Sequence, residues 1–143
     1  MARRKPGTIN GQFIAHRVEM LESDAWGALS FAARRILDRL EIEHAGHGAK
    51  ENGSLPCTYA DFERFGVRRK SIAPAIRQLV QCGFVEVTHK GRGGNAEFRH
   101  PSRYRLTYLH TRTAGPTDDW RRYRKQKTGG DSAPETGGEN ATD

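Results

Sequence analysis

The side chains best suited to chemistry in this chain are cationic and clustered. In the stretch FGVRRKSIAPAIRQLVQCGFVEVTHKGRGG, residues 65–94, Arg68, Arg69 and Lys70 stand side by side, with Arg77 further along. Neighbouring like charges repel, so an external polyanion is the natural group to neutralise them. Arg and Lys hold phosphate and read guanine, and a glutamine such as Gln78 reads adenine. Ser71 adds a hydroxyl at the same end. A second cluster holds Lys90, Arg92, Arg99 and Arg103 around Gly91, Gly93 and Gly94. Glycines there let the backbone come close to a partner.

Other chemistry has little to stand on. His44, His47 and Cys57 are metal-ligand types, but a fourth ligand at a standard zinc spacing is missing. Cys57 and Cys82 read as small core residues rather than a disulfide framework. There is no P-loop, nucleophile elbow or dinucleotide fingerprint. The expectation is therefore a binding protein: not an enzyme, with no cofactor, no metal and no small-molecule ligand.

Charge is segregated along the chain. Its 143 residues carry 24 Lys and Arg against 17 Asp and Glu, a net +7. Residues 64–105 hold ten basic residues and two acids, a net +8, whereas 17–63 hold five basic residues and nine acids, a net −4. A chain made basic only for solubility has no need of that division. Such a balance points to nucleic acid before a membrane surface. No apolar run reaches eighteen residues and no apolar region follows the basic start MARRKPGTINGQ, so neither a span nor a secretory signal is expected. With two cysteines, a cytoplasmic setting is expected.

The elements that would position these residues follow from pattern. One domain is expected for this length. Residues 1–12 read as a flexible basic arm, 13–110 as the folded unit and 111–143 as a charged, largely disordered tail. The end of that tail, TGGDSAPETGGENATD, has no large apolar residue. Residues 118–127, DDWRRYRKQK, leave three fates open: folding on nucleic acid, packing back, or staying loose. Within the unit, 18–29 reads as a short helix weakened by Gly27. Ser30 caps a helix over about 31–44, with Phe31, Ile36, Leu37, Leu40 and Ile42 near helical spacing. LPCT (55–58) is a short extended piece. Thr58 with Asp61 resembles a capping box for the next helix, which Gly66 ends. A helix follows from about Arg69 to Cys82, with Ile72, Ile76, Leu79 and Val80 inward and Gly83 closing it. Lys70, Pro74, Arg77, Gln78 and Gln81 then point away, and this helix has no Asp or Glu. Pro74 is harmless if Ser71 is the N-cap and costs a backbone bond if the helix begins near Arg69. FVEVTH (84–89) and YRLTYL (104–109) read as strands joined by a long loop. Trp26, Phe31, Phe62, Phe65, Phe84 and Tyr108 read as core.

Two helices across a glycine turn and then a hairpin resemble the winged helix-turn-helix family of bacterial DNA-binding domains. The resemblance covers roughly residues 30–110 and rests on TYADFERFGVRRKSIAPAIRQLVQCGFVEVTHKGRGG with YRLTYL closing the hairpin. It implies a mainly α fold with a small β-hairpin (α+β), binding double-stranded DNA. The second helix of the motif would enter the major groove and the loop would follow the backbone. The DNA-binding residues implied are Arg68, Arg69, Lys70, Ser71, Arg77, Gln78, Lys90, Arg92, Arg99 and Arg103. A small bacterial transcription regulator is the leading role. A replication or mobile-element factor, as in plasmid initiators, and a protein- or RNA-binding adaptor are the alternatives. Homodimerisation is left open.

Overall fold

The computed structural model describes residues 5–91 and 100–125. Among the described residues, five α-helices and a three-stranded antiparallel sheet make an α+β fold. Helices α1 (Val18–Leu21) and α2 (Asp24–Gly27) are single turns. The expected continuous helix over 18–29 is broken because Ser23 acts as a cap. Its Oγ accepts from the Trp26 amide at 3.1 Å and donates to the Met20 carbonyl at 2.6 Å. Both bonds satisfy groups that helix ends leave open.

Ser30 opens α3 (Phe31–Gly46), its side chain accepting from the Ala33 amide. Strand β1 (Leu55–Cys57) leads to α4 (Tyr59–Arg64), which starts in a full capping box between Thr58 and Asp61. Helix α5 (Arg69–Gln81), β2 (Val85–His89) and β3 (Ser102–Leu106) follow. Two Schellman motifs set the turns around α5. Val67 N bonds Phe62 O and Gly66 N bonds Glu63 O; after α5, Phe84 N bonds Leu79 O and Gly83 N bonds Val80 O. Gly66 (φ 100°) and Gly83 (φ 88°) adopt the left-handed backbone this motif needs.

The sheet order is β1-β3-β2. Leu55 pairs with Tyr104 on one side of β3 and Val85 with Leu106 on the other, with a bulge between Val87 and His89. The hairpin is thus widened by the LPC strand, and β3 begins two residues before the expected Tyr104. Tyr108 lies beyond the strand, yet it is buried.

The core lies between α3, α5 and the sheet and contains Ile36, Leu40, Phe62, Ile72, Leu79, Phe84, Tyr104 and Leu106. Three residues expected inward are not. Phe31, Ile42 and Val80 are exposed, and Phe65 is half-buried. Helical spacing admits a broad stripe, and packing narrowed it: Ala33 and Ala75 are buried instead.

The packed unit also runs past His110, where the tail was expected to begin. A 3-10 helix (Asp119–Arg122) carries Trp120 into the core, and half-buried Tyr123 packs against it. The amides of Thr117 and Asp118 bond the Thr107 carbonyl, and Arg121 binds Glu19 of α1 through two hydrogen bonds. Of the three fates open to 118–127, packing back is the one found for the described part; residues 126–143 lie outside the described residues. At the other end, Gln12 reaches the Ala45 carbonyl and His16 reaches Glu41, so the chain from 12 to 16 runs along α3. Residues 1–4 of the expected arm lie outside the description. Among the described residues, no helix is long and apolar enough to cross a membrane.

Candidate nucleic-acid interface

Helix α5 starts at Arg69 with Arg68 as its N-cap and has no side-chain cap. Pro74 is therefore its sixth residue, past the first turn. It offers no N–H to the Lys70 carbonyl one turn earlier. Both residues are exposed, so water can satisfy that carbonyl. Ile72, Ala75, Ile76 and Leu79 face the core, which aims Lys70, Pro74, Arg77 and Gln81 outward along one stripe.

The ten cations of residues 64–105 divide into three groups. Arg64, Arg69 and Arg105 have acidic partners. Arg64 pairs with Asp61, and Arg69 with Glu63 at 2.8 Å while lying over the Tyr59 ring. Arg105 is largely covered and bonds Glu86 at 2.8 Å and Thr117 at 3.0 Å, with Asp119 at 3.7 Å. Arg92 and Arg99 lie outside the described residues. The third group has no acidic partner among the described residues: Arg68, Lys70, Arg77, Lys90 and Arg103. All five are exposed. Arg103 donates to the Ser54 carbonyl, which leaves its charge uncompensated.

One expected site residue serves another end. Gln78 was expected on the outward face, but its Oε1 accepts from the Ser30 amide at 2.8 Å and its Nε2 donates to the Ala28 carbonyl at 2.9 Å. Both ends of the amide are committed to the start of α3, so Gln78 joins α5 to α3. Ser71 is half-buried on the same flank. The face thus retains cations and Gln81 and loses one adenine-reading amide.

The start of α3 adds exposed groups that pattern reading left out. Arg34 lies over the Trp26 ring, and Arg35 stacks on Phe65 at 3.9 Å while donating to the Phe65 carbonyl in the α4–α5 turn. No spacing signal marks Arg35 for this place, because its approach to the α4–α5 turn is a contact between segments thirty residues apart.

No group of three metal-ligating side chains is placed to hold an ion among the described residues. Burial pushes the Cys57 thiol up to about 12 and raises Cys82 as well, so neither is poised as a nucleophile. No protein-family model matches the chain, and neither a characterised protein nor a solved structure resembles it significantly.

Proposed function

We propose that this chain is a winged helix-turn-helix protein that binds double-stranded DNA, with α5 in the major groove and the β2–β3 loop as the wing. One observation carries the reading. The outward stripe of α5 and its N-cap present Arg68, Lys70 and Arg77 with no acid on the helix and no acidic partner among the described residues. Solvated helix faces usually mix both signs. The order helix, strand, helix, turn, helix, strand, strand, with sheet order β1-β3-β2, supports the fold assignment. Phosphate neutralisation supplies affinity and α5 supplies base contacts. A small bacterial transcription regulator fits a DNA-binding unit of this size.

Titration with duplex DNA at several salt concentrations tests the reading. Log affinity should fall linearly with log salt. Alanine at Arg77 or Lys70 should cost roughly 1–3 kcal/mol on a cognate site if the side chain reads a base. Alanine at Lys90 should weaken cognate and random duplex alike and reduce the salt slope by about one. A protein that shifts no duplex at low salt is instead a protein- or RNA-binding adaptor.

A further inference from the structure

Acids are as segregated in this chain as cations are. The sequence TGGDSAPETGGENATD, residues 128–143, holds four acids and no base. Asp131, Glu135, Glu139 and Asp143 recur at every fourth position. All four lie beyond the described residues, which end at Lys125. The fold fixes where this stretch departs and which face lies nearest to that point.

Arg122 and Tyr123 line one groove with Val80 and Gln81, the last two residues of α5. Gln81 is exposed and belongs to the outward stripe that carries Arg77 and Lys70. The chain therefore leaves the fold at one end of the cationic stripe. From Gln81 to Lys70 the helix rises roughly 16 Å. The stretch from Lys125 to Asp131, when extended, spans up to about 20 Å. Spacing matches as well. Arg77 and Lys70 are about 10 Å apart along the helix axis, and successive acids are at most about 14 Å apart along the chain. Arg124 and Lys125 are nearer in sequence, but four acids spread over 131–143 cannot all sit at two adjacent cations.

We infer that the acidic segment 131–143 docks on the cationic stripe of α5 and competes there with DNA. The docking rests on charge and placement, and the competition rests on the DNA-binding reading above. Charge complementarity decides the occupant: Arg68, Lys70 and Arg77 have no acidic partner among the described residues, and the segment has acids with no base. Tethering makes the encounter intramolecular, at an effective concentration of about millimolar. Weak, exposed ion pairs then suffice for partial occupancy, and salt screens them.

The test compares the full chain with a variant carrying Asp131→Asn, Glu135→Gln, Glu139→Gln and Asp143→Asn. Without DNA, backbone amide resonances around Lys70 and Arg77 should differ between the two at low salt and coincide at high salt. Differences confined to residues 121–125, or none at all, would overturn the docking. On duplex DNA at low salt, the neutralised chain should bind about three- to tenfold tighter, the scale of two or three exposed ion pairs. That gain should shrink as salt rises, and shrink again when both chains also carry Arg77→Ala. A gain that Arg77→Ala and Lys70→Ala leave unchanged is the general effect of removing four negative charges, and would overturn the competition. Failure of both chains to bind any duplex would bring down the DNA-binding reading, while the resonances would still decide the docking.

Discussion

Single polar residues act here as joints between segments far apart in sequence. Asn52 is buried in the loop before β1; its side chain donates to the carbonyls of Leu106, Leu109 and His110 and accepts from the Leu106 amide. Nothing in the loop's composition marks it, because its partners lie more than fifty residues away. His16 is a second joint. Its Nε2 lies 2.7 Å from Glu41 Oε2, the same buried oxygen that accepts from the Tyr108 hydroxyl. The hydrogen bond to Glu41 raises the His16 pKa above its ordinary 6.5, desolvation by burial opposes it, and the charges of Glu41 and Asp38 add to the rise against Arg34. Since the folded pKa exceeds the unfolded one, the stabilisation is complete below about 6.5 and is lost as pH rises through the folded value. His44, whose pKa burial lowers, works in the opposite sense. Unfolding by denaturant from pH 5 to 9 should therefore be compared between wild type and His16→Gln. The stability gap should be largest at low pH and narrow above neutrality. A gap that widens with pH would show that the pair is not charged as described.

At the scale of elements, α5 combines a rule kept with a rule broken. Its Schellman closure at Gly83 and its apolar spacing agree with the fold, and Pro74 disagrees. The helix runs unbroken from Arg69 to Gln81 because α3 and the sheet hold its inward face. Replacing Pro74 by Ala restores an N–H to the Lys70 carbonyl and relieves crowding. Part of that gain is offset by the larger freedom of the unfolded chain. Pro74→Ala should raise stability by about 1–2 kcal/mol in denaturant unfolding. It should also change DNA affinity if Pro74 sets how α5 lies in the groove. Unchanged or lower stability would mean that the surroundings had already adapted to the ring. Phe31 and Val80 teach a related lesson: spacing defines which residues share a helix face, and neighbouring elements decide how wide the buried part of that face is.

At the scale of the molecule, the C-terminal segment closes the fold. Trp120 fills the core beside α1 and α2, and the backbone at Asp119–Trp120 passes so close to Gly83 that a Cβ there would lie 2.6 Å from the Asp119 carbonyl carbon. Gly83 thus serves the end of α5 and the seat of the segment together. Truncation after His110 removes Trp120 and uncovers the apolar surface beneath it. Stability should fall by about 3 kcal/mol or more, the scale of Trp→Ala in a core, and Tm by roughly ten degrees. Gly83→Ala should destabilise in the same direction. A truncated chain that melts like the full one would show that residues after 110 are an appendage.

Local rules carried most of the element boundaries. Ser30, the Thr58–Asp61 capping box, Gly66 and Gly83 act within a few residues of themselves, so their positions alone determined where α3, α4 and α5 start or stop. The alternation in VEVTH and the lack of acids in α5 are likewise written in the chain. Tertiary structure decided what depends on contact between distant segments. It added β1 to the sheet, turned Gln78 from an outward residue into a joint, gave Arg69 and Arg105 acidic partners, and left Phe31 outside. It also drew Trp120 into the core from a stretch whose Arg, Lys and Asp neighbours read as tail, because a single large ring can bury well while the charged residues around it stay in water.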